Sequence, residues 1–210
     1  MSNKIGIALD ILGSIQIPIS PDTGDRLRMY LELIREWNDT VSLVSRGDLE
    51  WLDDHVADSL SLAPYITMGK SEEYLLDIGP GAGFPAIPLA IVLPEVRIVL
   101  VERSDRKCGF LRKVIAKFGL FHVELRCGAY PELGLPEWPR WITARAVERP
   151  EVLRDAILNG LGPETKFLCQ GKGCGELDTS GFVATEIADE WSLRGLRRGS
   201  LTVIGRSRIA

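Results

Sequence analysis

The sequence predicts an α/β fold: a mostly parallel central sheet with helices on both faces, an antiparallel C-terminal edge and a helical N-terminal cap. Three observations predict it. Up to about residue 70 the apolar residues recur at helical spacing. From Tyr74 onward short apolar runs alternate with helical stretches, the pattern of a parallel sheet covered by crossover helices. The last two runs are instead joined by a basic turn segment, which predicts an antiparallel edge. Residues 1–70 are assigned to the cap and 71–210 to the sheet-bearing domain, packed as one compact unit.

Leu27, Tyr30, Leu31, Ile34 and Trp37 share one face of a predicted helix over 25–38, preceded by the turn residues Pro21, Asp22, Thr23 and Gly24. A second helix is predicted over 48–62, with Leu49, Leu52, Val56 and Leu60 inward. Strands are then predicted over 74–78, 98–102, 122–126, 141–144 and 166–169, with helices over 87–92, 107–118 and 150–161 between them. The edge pair is predicted over 182–187 and 200–204.

The 210 residues are 45% hydrophobic and 26% charged, with a net charge of −4, so apolar burial can offset chain entropy and disorder is excluded. The most apolar stretch, 86–101, is broken by Pro88, Pro94, Glu95 and Arg97 and falls short of a membrane span. The first ten residues meet Asp10 before an apolar run develops, so no signal peptide is expected and the location is expected to be cytoplasmic. Cys108, Cys127, Cys169 and Cys174 show no paired C-x-x-C spacing, and His55 and His122 do not cluster with them. No metal site is expected, and the cysteines read as small buried thiols in a reducing compartment rather than a disulfide framework.

The sharpest feature is Asp77-Ile78-Gly79-Pro80-Gly81-Ala82-Gly83-Phe84-Pro85, directly after the first strand and before a helix. Glycines there let the backbone turn tightly and approach a ligand at the carboxyl end of a strand. A dinucleotide fingerprint requires a third glycine where Phe84 stands, and a Walker loop requires Gly-Lys-Ser/Thr. The pattern is D-x-G-x-G-x-G, the arrangement of S-adenosylmethionine-dependent methyltransferases. Glu102 closes the second strand 25 residues after Asp77, placed to accept both hydroxyls of a ribose. The competing reading is a strand-end acid paired with Arg103, Arg106 or Lys107.

Several separated motifs together resemble one family, the small-subunit ribosomal RNA methyltransferase G family, also called glucose-inhibited division protein B. They are Trp37-Asn38, His55-Val56-Ala57-Asp58-Ser59-Leu60, the glycine turn ending in Phe84-Pro85, Glu102 with Arg106-Lys107 and Phe110-Leu111, Ala144-Arg145-Ala146, and Lys172-Gly173. The resemblance covers roughly residues 25–175. It implies a Rossmann-like class I methyltransferase fold and methyl transfer from S-adenosylmethionine to nitrogen 7 of a guanine in 16S small-subunit ribosomal RNA. The implied partner is that RNA or the 30S subunit, with no membrane and a monomeric enzyme. Carried over residue by residue, the implied cofactor contacts are Gly79, Phe84, Tyr130, Pro131 and Arg145; Asp77, Gly81, Gly83 and Glu102 join them from the reading of the glycine turn and the strand end. Where the family usually has Arg-x-Glu after the third strand, this chain has Ala129-Tyr130-Pro131-Glu132, so Tyr130 is expected to stack on the purine edge.

Guanine nitrogen 7 offers a lone pair without losing a proton, so this chemistry requires no general base. Arg145, at the tip of the fourth strand, is the residue assigned to the catalytic boundary between cofactor and RNA, with a salt bridge to Glu148 or Asp77 as its structural alternative. His55 and Asp58 lie three apart and read as a polar clasp between cap and sheet rather than as catalysts. Trp37 reads as core and Asn38 as a cap or turn residue. Lys172-Gly173 fits substrate contact or a simple turn.

The charge is unevenly spread. Residues 191–210 carry Arg194, Arg197, Arg198, Arg206 and Arg208 with no acid, giving +5 against −9 for the rest. Residues 103–117 add six cations against Asp105 alone. Each segment is a candidate phosphate-contacting surface or a solvated basic face. Two other classes stay open: a noncatalytic RNA- or ribosome-binding protein on a degenerate methyltransferase fold, suggested by the displaced acid, and a small-molecule methyltransferase, suggested by the acidic body.

Overall fold

The computed structural model describes residues 3–66, 73–130, 132–133, 138–144, 150–170, 182–187, 196–197 and 199–206. Its centre is a seven-stranded sheet of β1 Tyr74–Ile78, β2 Arg97–Glu102, β3 Val123–Cys127, β4 Trp141–Ala144, β5 Lys166–Gln170, β6 Phe182–Glu186 and β7 Leu201–Arg206. The spatial order is β3-β2-β1-β4-β5-β7-β6. The first five in that order pair in parallel, and β7 runs antiparallel to both β5 and β6. From β1 the chain builds outward through β2 and β3, then returns to place β4 on the other flank of β1. That reversal opens a crevice at the carboxyl ends of β1 and β4, where open α/β sheets bind ligands.

Strand alternation sends residues into two cores. Leu75, Ile98 and Leu100 join the larger one with the cap helices and with α5 Ala86–Val92 and α6 Asp105–Phe118. Tyr74, Leu76, Ile78, Val99 and Val101 join the smaller one with Ile157, Leu158 and Leu161, from and just beyond α7 Pro150–Gly160. β1 is buried along its whole length, which explains its unbroken apolar run. Ser104 caps α6 and Gly119 ends it in the left-handed conformation, so the helix starts two residues before the stretch expected from apolar spacing.

The cap contains α1 Lys4–Ser14, α2 Thr23–Val41, α3 Leu52–Leu60 and the short α4 Ala63–Ile66. Two differences from the sequence reading stand out. α1 was not expected; Asn3 caps it and Ile5, Ala8 and Leu12 are its buried stripe. The single helix expected over 48–62 is divided into a 3-10 turn, Gly47–Trp51, and α3. The division falls at Trp51, whose φ of −109° and ψ of 16° leave the helical range, while Ser45 starts the 3-10 turn by donating its hydroxyl to the Asp48 carboxylate and accepting from the Asp48 N–H. Trp37 packs against Phe110 as core, with ring centroids 5.8 Å apart. Asn38 holds the turn after α2 by accepting from the Val44 N–H at 2.9 Å.

The cysteines depart from the expected buried thiols. Cys108 and Cys127 are joined as a disulfide, with Cα atoms 6.3 Å apart, and no described cysteine is a free thiol. The cause lies in topology: Cys108 stands in the first turns of α6, close above the end of β2, and Cys127 lies beside Glu102 in the β2–β3 register. A pairing made across a helix and a neighbouring strand leaves no local spacing signature.

His122 is half-buried ahead of β3 and its Nε2 lies 3.1 Å from the Ala90 carbonyl oxygen. Burial holds its pKa below the usual 6.5. A depressed value means that the unfolded chain binds the proton more readily, so stability is full above pH 6.5 and falls as pH drops below it. Thermal unfolding across pH 5 to 7.5 is expected to show this loss, and His122→Asn is expected to flatten it.

Candidate active site

The residues after β1 fold into a compact turn. The Gly79 N–H donates to the Val101 carbonyl, and the Gly83 and Phe84 N–H groups donate back to Pro80. Gly79, Gly81 and Gly83 all have positive φ, at 69°, 60° and 104°. The sequence spaces glycine at alternate positions because this path requires left-handed backbone there.

Gly81 and Gly83 face different surroundings. A Cβ on Gly81 would meet nothing nearer than 4.0 Å, the neighbours being the Gly79 carbonyl oxygen and Lys107 Nζ, so the space over the turn is open. A Cβ on Gly83 would lie 2.5 Å from Ile87 Cγ1 and 3.0 Å from the Tyr30 hydroxyl. Gly83→Ala is therefore expected to cost about 2–3 kcal/mol, from overpacking together with backbone strain. Denaturant unfolding checks this.

Glu102 is buried at the end of β2, and both its oxygens are engaged by backbone. Oε2 accepts from the Gly81 N–H at 3.1 Å and Oε1 from the Ser104 N–H at 2.9 Å. The carboxylate thus fixes the glycine turn to β2 instead of forming the cation pair considered as its alternative. Asp77 is fully buried, and its Oδ1 accepts from the Thr143 hydroxyl at 2.8 Å, which ties β1 to β4 beneath the crevice. On the β3 side, the Gly128 N–H donates to the Glu102 carbonyl and leads to Tyr130. Tyr130 is half-buried, and burial pushes its phenol pKa up. Its ring packs against the smaller core, with the hydroxyl close to Gly160.

The cap supplies residues that the sequence reading did not assign to the site. The Tyr30 hydroxyl, fully buried on α2, donates to the Ala82 carbonyl at 2.7 Å, and its ring meets Phe84 edge-on at 5.6 Å. A tyrosine in an apolar helical stripe reads as core; its hydroxyl was the available signal, since a buried O–H needs an acceptor. The structure also divides the His55–Asp58 pair. The His55 ring lies 5.4 Å from that of Phe84, with Nε2 3.5 Å from Asp48 Oδ1, so His55 belongs to the back of the turn. Asp58 faces β5: Gln170 Nε2 donates to its carbonyl at 2.9 Å, and Arg197 Nε lies 3.3 Å from the adjacent Ser61 hydroxyl. That cluster is a clasp between α3 and the sheet.

The basic segments also separate. Arg103, Arg106, Arg112, Lys113 and Lys117 of the α6 segment are exposed. In the tail, Arg197 is buried in the clasp, and Arg206 donates to the Leu161 carbonyl with its guanidinium 6.0 Å from the Trp138 ring centre. Both arginines make contacts within the fold, so the tail's cations are not all left to a phosphate-contacting or solvated face. Pro131, Arg145, Glu148, Lys172, Gly173, Cys174, Arg194, Arg198 and Arg208 lie outside the described residues. Among the described residues there is no group of His, Cys, Asp and Glu that could hold a metal, and no helix long and apolar enough to cross a membrane.

The fold and turn can be set beside known proteins. The O-methyltransferase of Bacillus cereus in complex with SAH superposes with a TM-score of 0.58 at 17% identity, covering 93% of this chain and 95% of that one. A mutant of MtNAS in complex with S-adenosylmethionine does so with a TM-score of 0.58 at 17% identity, covering 86% and 74%. At these identities the likeness is one of fold. In sequence, Ribosomal RNA small subunit methyltransferase G of Cupriavidus pinatubonensis is 31% identical over 206 residues, 92% of this chain and 86% of that protein. The protein of the same name from Nitrosomonas europaea is 35% identical over 132 residues, 61% of this chain and 60% of its own length. That from Neisseria meningitidis serogroup C is 36% identical over 129 residues, 60% and 57%. The chain thus spans less than two thirds of the last two relatives. The family model for rRNA small subunit methyltransferase G, GidB, matches residues 24–178, a stretch that leaves out α1 but holds nearly all of α2, α3 and α4, the glycine turn and Glu102. On that match this chain belongs to the rRNA small subunit methyltransferase G family.

Proposed function

We propose that this chain is an S-adenosylmethionine-dependent methyltransferase acting on nitrogen 7 of a guanine in 16S small-subunit ribosomal RNA. The observation that carries the proposal is the Gly81–Glu102 hydrogen bond, which holds an open glycine turn and a buried strand-end carboxylate together at the crevice between β1 and β4. An adenosyl group fits these residues. Its ribose hydroxyls are donors, and the Glu102 carboxylate has about four acceptor positions, of which the Gly81 and Ser104 amides take two. The open space over Gly81 admits the adjoining chain of the ligand.

In this reading Glu102 holds the ribose, Gly79, Gly81, Gly83 and Phe84 shape the turn, and Asp77 supports it from beneath. Tyr130 is assigned to the purine end, and Pro131 and Arg145, outside the described residues, keep the roles that the family resemblance implies for them at the purine and at the cofactor–RNA boundary. When bound, S-adenosylmethionine supplies an electrophilic methyl group. The protein's own contribution is alignment of that methyl with nitrogen 7, an effect worth roughly 7–11 kcal/mol at its ideal limit. Tyr30 and His55 support alignment from behind by fixing Ala82 and Phe84. No side chain is needed to take a proton from nitrogen 7.

RNA recognition is assigned to the α6 cations and to Lys107, whose ammonium reaches the glycine turn. Because nitrogen 7 faces the deep groove of an RNA helix, the target guanine is expected in a loop or an otherwise accessible position. The substrate is small-subunit RNA, free or in the 30S particle, and the enzyme acts as a cytoplasmic monomer of cap (1–70) and cofactor-binding domain (71–210).

A second reading, a noncatalytic RNA-binding protein, draws on the Ala129-Tyr130-Pro131-Glu132 departure. Calorimetric titration with S-adenosylmethionine separates the two. Saturable one-to-one binding is expected; no binding by folded protein would favour the second reading.

A further inference from the structure

We propose that Cys108 and Cys127 form a thiol–disulfide exchange site, reactive toward low-molecular-weight disulfides of the glutathione class, whose oxidised state tightens the cofactor pocket. The inference rests on the assignment of that pocket to the nucleoside end of S-adenosylmethionine. Four observations meet at one place. The two Cα atoms are 6.3 Å apart, within the range a disulfide spans without backbone movement. Cys127 is the register partner of Glu102, and Cys108 Sγ lies 3.4 Å from the Glu102 carbonyl oxygen. The next residue, Gly128, donates to that same carbonyl at 2.9 Å and begins the turn that carries Tyr130. Arg112, exposed on α6, donates through Nη2 to Cys127 Sγ at 3.1 Å.

The two sulfurs differ in access. Cys108 is fully buried, whereas Cys127 is partly exposed and has the guanidinium beside it. A cation at a sulfur favours the reactive thiolate. Starting from the dithiol, the Cys127 thiolate attacks one sulfur of oxidised glutathione, forms a mixed disulfide and expels one glutathione thiolate. The Cys108 thiolate then attacks Cys127 Sγ, the Cys108–Cys127 bond forms and the second glutathione leaves. Two protein thiols are oxidised, one glutathione disulfide is reduced, and the two protons end on the two glutathione thiols. The bond ties the start of α6 to the end of β3 across Glu102. A pocket fixed in advance loses less freedom when its ligand binds.

The test combines thiol labelling with cofactor titration on the full chain, equilibrated with oxidised glutathione or with dithiothreitol. Oxidation is expected to protect Cys108 and Cys127 from N-ethylmaleimide, and the oxidised protein is expected to bind S-adenosylmethionine about tenfold more tightly than the reduced one. Cys127→Ser is expected to show the affinity of reduced protein under both conditions, while the Cys169→Ser, Cys174→Ser double variant keeps the difference. Arg112→Gln is expected to slow closure without changing the affinity of the fully oxidised form. Labelling of Cys127 after oxidation, equal affinities in the two states, or a difference abolished by the Cys169, Cys174 double variant would each overturn the proposal. Failure of both states to bind S-adenosylmethionine contradicts the pocket assignment instead and removes the coupling with it; the labelling still decides the exchange site.

Discussion

Gly81→Asp is expected to leave the protein folded and to weaken S-adenosylmethionine binding by at least about a hundredfold, roughly 2.7 kcal/mol or more. The reason is local. At φ 60° aspartate is among the residues best able to take left-handed backbone, and a Cβ there has no neighbour nearer than 4.0 Å. The new carboxylate enters the open space above the turn, where Lys107 Nζ attracts it and the Glu102 carboxylate already supplies negative charge. The variant fills the site without forcing the fold apart, the opposite of Gly83→Ala, which overpacks the cap contact. Calorimetry with a parallel thermal melt checks both halves: affinity lost, melting temperature within a few degrees of the parent.

Glu102→Ala is expected to damage binding and stability together. It removes the acceptor for the Gly81 and Ser104 N–H groups, and hydrogen bonds to charged groups contribute about 1.5–3 kcal/mol each. The turn is then held by fewer contacts and the ribose loses its acceptor, so affinity is expected to fall at least about a hundredfold. Glu102→Gln keeps one acceptor oxygen and is expected to recover stability more than affinity. Urea unfolding beside the same titration separates the two effects; an unchanged affinity in Glu102→Ala would place the ligand elsewhere.

The sheet was legible because its buried strands are written as continuous apolar runs: the expected 74–78 and 141–144 match β1 and β4. The glycine turn was legible because left-handed backbone demands glycine at fixed positions. What the sequence concealed depends on partners distant in the chain. Tyr30 reads as one member of an apolar stripe until Ala82 appears 52 residues away, at its hydroxyl. Cys108 and Cys127 meet only once α6 returns over β3, and Arg197 counts as surface charge until the fold buries it against Ser61. α1 has Gly6 and Gly13 among its eleven residues, which weakens local helix preference and leaves packing to decide.

These contacts change what the cap is for. Its helices share one continuous core with the sheet and hold the turn through Tyr30, Phe84 and His55. In the proposed reaction, alignment of donor and acceptor is therefore a property of cap and sheet together.

The activity proposed for the crevice between β1 and β4 is methyl transfer to small-subunit RNA. It is tested most directly by incubating the protein with S-adenosylmethionine labelled in its methyl group and 30S subunits from a strain lacking the modification, then identifying the labelled nucleoside. Label is expected in 7-methylguanosine of 16S RNA with the parent protein and none with Gly81→Asp. Absence of label with protein that binds the cofactor, or undiminished label with Gly81→Asp, would contradict it.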